Sequence, residues 1–181
     1  PMEVMQDSQS DMKVRGRLEP VEIPGYARIF IDYAHNAVSL ENVLTTLRQY
    51  RPKRLICLFG CGGNRSAGRR KGMGFVSGRL ADITVITSDN PRFESPEAIM
   101  TDIETGVLEG GGEYVKICSR LDAIRYALEI SDRDDIVLLA GKGHETYQEV
   151  LGEKRHMDER ELIQQILEEE DAGIICGCDN R

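Results

Sequence analysis

Asp89-Asn90-Pro91-Arg92 sets a carboxylate, an amide and a guanidinium within one short turn. The proline stiffens that turn and reduces the entropy lost on ordering it. A guanidinium presents a planar fork matched to a carboxylate. Further along, Gly141-Lys142-Gly143-His144-Glu145 ends in an acid that can hold an ammonium. An arginine and a glutamate on neighbouring loops are the minimum kit for gripping a zwitterionic amino acid. A direct Arg92–Glu145 salt bridge is the alternative that spacing alone leaves equally open.

Gly60-Cys61-Gly62-Gly63-Asn64-Arg65 has the look of a dinucleotide loop, but that pattern needs glycine where Arg65 stands. Glycine-rich backbone ahead of a helix can still hold an anion, and Arg65, Arg69, Arg70 and Lys71 add positive charge there. No G-x-x-x-x-G-K-[ST] occurs, so if ATP is used another segment must supply its phosphate loop. Asp32-Tyr33-Ala34-His35 closes a strand, and His35 either caps locally or meets a ligand. No Ser-His-Asp or Cys-His set can be built from spacing, and no residue is assigned as catalytic or as a metal ligand.

The elements that position these groups alternate. Ala27–Asp32, Arg54–Phe59, Asp82–Thr87, Glu113–Cys118 and Asp135–Ala140 read as strands, several with the continuous apolar runs of a sheet buried on both faces. Leu40, Val43, Leu44 and Leu47 keep helical spacing, as do Ile99, Ile103 and Val107 after the Ser95-Pro96 start signal. Further helices are expected near 70–80, after Ser119, and over Leu162–Leu167. This alternation predicts an α/β, Rossmann-like, doubly wound and mostly parallel sheet with helices on both faces. Ligands of such sheets bind beyond the carboxyl ends of the strands, where the polar motifs fall. Residues 1–24 read as a linker and entry segment, 25–167 as the domain, and 168–181 as a partly disordered tail.

The 181 residues are 40% hydrophobic and 30% charged, with a net charge of −8. Such an acidic chain is a poor candidate for nucleic-acid binding. No apolar run nears the roughly 18 residues of a membrane span, and no secretory leader is evident. Cys57, Cys61, Cys118, Cys176 and Cys178 are odd in number and unevenly spread, which argues against a disulfide framework or a zinc site and for the cytoplasm.

Six motifs in register carry a resemblance over about residues 14–167: Gly16-Arg17-Leu18-Glu19, Asp32-Tyr33-Ala34-His35, Phe59–Arg65, Ser88–Arg92, Ala140–Glu145 and Met157–Glu161. Together they resemble the C-terminal domain of Mur ligases, of the type that adds the third residue of the peptidoglycan stem peptide, in its diaminopimelate-adding form. The resemblance implies an ADP-forming carbon–nitrogen ligase acting through an acyl phosphate. It assigns ATP and magnesium mainly to a central domain, and the UDP-N-acetylmuramoyl-dipeptide to an N-terminal one. It further implies that Arg65, Asp89, Asn90, Arg92, Gly141 and Glu145 bind meso-diaminopimelate, and that Arg17, Asp32 and His35 lie at the hinge or the nucleotide side. The pattern departs from the usual one at Asn36-Ala37-Val38 and Lys71-Gly72. Lysine lacks the distal carboxylate, so a desolvated Arg92 would disfavour it by about 10³-fold or more. A lysine-adding ligase and a stand-alone amino-acid-binding module are the alternatives; a nicotinamide oxidoreductase is disfavoured by Arg65.

Overall fold

The computed structural model describes residues 14–173. Cys176, Cys178 and the end of the expected tail lie outside them. The chain runs β1 (Glu19–Val21), β2 (Arg28–Asp32), α1 (Ala37–Arg48), β3 (Leu55–Phe59), α2 (Ala67–Leu80), β4 (Ile83–Ile86), α3 (Pro96–Gly110), β5 (Glu113–Lys116), α4 (Arg120–Glu129), β6 (Ile136–Ala140), β7 (Tyr147–Val150), β8 (Glu153–His156) and α5 (Glu159–Asp171). The main sheet has the order β1-β2-β6-β3-β4-β5. Its strands are parallel except β1, which pairs antiparallel with β2 and so joins the entry segment to the sheet. α5 continues to Asp171, into the stretch expected as tail.

Period-two alternation divides the core between two faces. Leu55, Cys57 and Phe59 of β3 pack with Ile136 and Leu138 of β6 under α1, α2 and α3. Ile56 and Leu58, with Val137 and Leu139, pack under α4 and α5. All ten residues of β3 and β6 are buried, as two-sided burial requires.

Local chemistry sets the helix ends. Asn36 accepts from Ser39 N–H and completes a capping box for α1. Ser95 caps α3 ahead of Pro96, and Gly111 closes it in the left-handed region. A side chain on Gly74 would strike the Ile103 carbonyl, and one on Gly106 the Lys71 carbonyl, so α2 and α3 meet backbone against backbone.

The register places the site. Asp32 lies opposite Ala140, Ala140 opposite Phe59, and Phe59 opposite Ile86, so four strands end in one row. The loops that follow them leave from the same level. The β7–β8 hairpin is an element that the sequence reading does not contain. It turns on Leu151 and Gly152, both with positive φ, and docks on the turn after β4 through a bridge between Arg92 and Val150.

Candidate amino-acid-binding site

One cavity of about 150 Å³ opens over the row of strand ends, and Arg65, Asp89, Asn90, Arg92, Gly141 and Glu145 all line it. His35 lines it too, whereas Arg17 and Asp32 do not.

The turn after β4 is held from several sides. Arg92 has φ 53°, a conformation that costs a non-glycine residue free energy. Backbone bonds to the hairpin fix it: Arg92 N–H donates to the Glu149 carbonyl at 3.0 Å, and Leu151 N–H to the Arg92 carbonyl at 2.7 Å. Gln148 Nε2 donates to the Asp89 carbonyl at 2.8 Å, and Glu149 N–H to Asn90 Oδ1 at 2.9 Å. The Arg92 guanidinium gives Nε to Glu149 Oε2 at 3.2 Å and Nη1 to the Gly63 carbonyl at 2.7 Å. Among the described residues Nη2 has no hydrogen-bond partner, and the side chain is 26% exposed.

The Arg92–Glu145 bridge that spacing left open does not form. Glu145 instead accepts from Lys142 Nζ at 3.1 Å and from Asn90 Nδ2 at 3.0 Å. Lys142 stands three residues earlier in the same turn and reaches the carboxylate first. Its side chain is 0% exposed. Lys142 Nζ also donates to Asn90 Oδ1 at 3.1 Å and to the Tyr147 carbonyl, and lies 3.5 Å from Asp89 Oδ1. Asp89 Oδ1 is buried and makes no hydrogen bond.

On the β3 side, Gly63 N–H donates to the Asn90 carbonyl at 2.8 Å, tying two rim loops together. Arg65 is exposed, in no ion pair among the described residues, and precedes the first turn of α2. Arg69 donates to the His35 carbonyl through Nε at 3.0 Å and Nη2 at 2.8 Å. Arg70 is buried between Glu94 at 2.8 Å and Asp102 at 2.9 Å, and Lys71 pairs with Glu109 on the surface. Bonds from Arg70 and from Asn64 N–H hold the Glu94 carboxyl below its ordinary range. Burial pushes the Cys61 thiol up to about 12, so it is no nucleophile at neutral pH.

Asp32 has a structural set of partners. Its two oxygens accept from Leu18 N–H and Ala34 N–H, both at 2.7 Å, which anchors the entry segment to the end of β2. His35 is exposed and its Nδ1 lies 2.8 Å from the Tyr33 carbonyl. The Tyr33 ring sits between His35 and His144, with centroids at 4.7 and 4.8 Å.

Beneath the rim, Arg120 and Glu159 form a buried pair, with Nη2 to Oε1 at 2.7 Å. Arg120 also donates to the Ala140 carbonyl at the end of β6 and to the Ser88 carbonyl in the loop after β4. Behind the loop after β6, Arg160 donates to Glu19, to Asp158 and to the Gly143 carbonyl. Gly16, at φ 74°, packs so tightly there that a Cβ would lie 2.5 Å from the Gly143 carbonyl carbon. The entry segment and the Glu145 loop are thereby clasped.

Lys142, Glu149, Tyr33 and Arg120 are not candidates on sequence grounds. Lys142 sits inside a candidate motif, but nothing in its type signals burial, since lysine is rarely buried unless paired. The hairpin bearing Glu149 offers one local signal, Leu151-Gly152 between two polar strands.

A mostly parallel sheet that gathers guanidinium groups, an amide and carboxylates around one cavity at its carboxyl rim defines an α/β domain whose rim presents both signs of charge. The chain belongs to the Mur ligase family: the family model described as "Mur ligase, glutamate ligase domain" matches residues 16–143. It is 44% identical over 170 residues to the UDP-N-acetylmuramoyl-L-alanyl-D-glutamate--2,6-diaminopimelate ligase of Caldanaerobacter subterraneus subsp. tengcongensis, covering 93% of this chain and 35% of that one. It is 46% identical over 154 residues to the corresponding ligase 2 of Clostridium acetobutylicum, covering 85% and 32%. A solved structure of a UDP-N-acetylmuramoyl-L-alanyl-D-glutamate--2,6-diaminopimelate ligase superposes with a TM-score of 0.80 at 34% identity, over 87% of this chain and 32% of that one. The chain thus spans about a third of the length of these relatives.

Proposed function

We propose that this chain is the amino-acid-binding domain of an ATP-dependent ligase that joins meso-diaminopimelate to UDP-N-acetylmuramoyl-L-alanyl-D-glutamate in peptidoglycan synthesis. The observation that carries the reading is the convergence of Arg65, Asp89, Asn90, Arg92, Gly141 and Glu145 on one cavity. Arg92 and Arg65 are the cationic groups for the substrate's carboxylates. Glu145, Asp89 and the Gly141 carbonyl are the acceptors for an ammonium at the same end of the molecule. Held there, the substrate points its other amine out of the rim toward an activated carboxyl group.

On this reading ATP and magnesium are held mainly outside the described residues, with Arg17, Asp32 and His35 on the hinge or nucleotide side. The sequence has no lysine-bearing phosphate loop, and among the described residues no three His, Cys, Asp or Glu side chains gather where they could hold a metal ion. Nucleotide and metal are therefore assigned mainly, and the UDP-sugar wholly, to segments outside this chain, and ATP-dependent ligation by the chain alone is expected to be nil. A cytoplasmic setting suits an ATP-using step, and among the described residues no helix is long and apolar enough to cross a membrane.

Calorimetric titration with meso-diaminopimelate and with L-lysine tests the reading. Diaminopimelate is expected to bind and Arg92→Ala to weaken it. Equal affinity for both amino acids, unaffected by Arg92→Ala, would overturn the substrate assignment.

A further inference from the structure

We propose that Lys142 is a positioning residue for the ammonium end of the site, an internal cation that fixes Asn90 and Glu145, offsets part of the charge of Asp89 and Glu145, and leaves them a net demand for one further ammonium. The inference rests on the reading of the cavity given above.

An ammonium has three donors. Those of Lys142 are satisfied by Asn90 Oδ1, Glu145 Oε2 and the Tyr147 carbonyl. The group is completely buried, so no water substitutes for these partners. It therefore has no donor to give a ligand, and acts on one only through the groups it holds. Asn90 shows the effect most directly. Its Oδ1 takes Lys142 Nζ and Glu149 N–H, which leaves Nδ2 facing Glu145 and fixes the amide's orientation. Two carboxylates near each other repel when both are ionised. Lys142, 3.1 Å from Glu145 and 3.5 Å from Asp89, offsets one of the two negative charges. Glu145 Oε1 makes no hydrogen bond among the described residues and is the acceptor left for a ligand. Removing the cation would leave Asp89 and Glu145 without their shared counter-charge, and would take from Asn90 Oδ1 one of its two donors.

The test uses the whole chain. In the wild type with 15N-labelled lysine, the Lys142 ammonium should exchange slowly, and its resonance should shift when meso-diaminopimelate is added. Lys142→Met keeps the length of the side chain and removes the charge. It should weaken meso-diaminopimelate and L-lysine by the same factor, about 10–100-fold, because both present the ammonium and only one presents the distal carboxylate. The Asn90 side-chain amide should lose its exchange protection in this variant. Should Lys142→Met fail to fold, the wild-type resonance decides. Unchanged affinity in a folded Lys142→Met chain, or a wild-type Lys142 resonance unmoved while the Gly141 amide shifts on binding, would overturn the proposal. Slow Lys142 exchange and protected Asn90, with no binding of either amino acid, would instead sink the substrate reading and leave the positioning role standing.

Discussion

Arg92 carries its own counter-ion: its Nε lies 3.2 Å from Glu149 Oε2, on the strand that docks beside it. This pairing changes the selectivity expected from the sequence. A guanidinium already matched to an acid is not stranded when the ligand lacks a distal carboxylate, so a thousandfold discrimination by Arg92 is too large. One charge-assisted hydrogen bond is worth about 1.5–3 kcal/mol, so under the proposed function the expected preference for meso-diaminopimelate over lysine is about 10–150-fold. Arg92→Ala should remove that preference while leaving lysine binding within about twofold.

Glu149→Gln supplies the complementary measurement. It retains an acceptor for Arg92 Nε but withdraws the counter-charge. The ratio of diaminopimelate to lysine affinity should rise severalfold, because only the former then offers Arg92 an anion. A lower ratio would mean that Glu149 acts mainly by orienting the side chain.

The Arg120–Glu159 pair is wholly buried, and burial pushes the Glu159 carboxyl up from its ordinary value against the pull of Arg120. Glu159 Oε2 has no hydrogen bond. Arg120→Met should cost about 3–5 kcal/mol in urea unfolding, because it leaves an uncompensated carboxyl inside. Adding Glu159→Leu should recover most of that loss, since apolar replacement of a whole buried pair is often close to neutral.

Acid should loosen the clasp behind the Glu145 loop. The bond from Arg160 holds the Glu19 carboxyl below its ordinary value of 4.5. A carboxyl lowered in the folded state contributes its full stabilisation above the unfolded value, and loses it as pH falls through the folded one. Burial works to raise Asp158, but the bonds from Arg160 outweigh it, so this carboxyl is lowered in the same sense. The gap in urea midpoint between wild type and Arg160→Gln should therefore be constant near neutrality and shrink below about pH 4.5.

Gly143 has φ 54°, and a Cβ there would lie 2.6 Å from that of Tyr33. Gly143→Ala should cost at least about 1–2 kcal/mol from the left-handed backbone alone. It should also weaken amino-acid binding, because the displaced loop carries Lys142 and Glu145.

The frame is legible because it rests on one-dimensional patterns. The apolar runs at Leu55–Phe59 and Ile136–Ala140 and the start signal Ser95-Pro96 point to single outcomes, and β3, β6 and α3 follow them. The candidate ligand groups are legible because they cluster in motifs after strands. Pair identities are not. Proximity in the order of loops sets Glu145 against Arg92, whereas the turn geometry gives it to Lys142 and brings Glu149 to Arg92. Spacing likewise hides that both oxygens of Asp32 are taken by backbone amides. Which of several polar neighbours meet depends on side-chain direction and on a hairpin of mostly polar residues whose pairing leaves little hydrophobic pattern to read.

The common finishing line of β2, β6, β3 and β4 separates scaffold from specificity. Each rim loop starts from a point fixed by the ladder beneath it rather than by its neighbours' lengths. A chain built on such a frame can exchange the contents of one loop without re-engineering the other three.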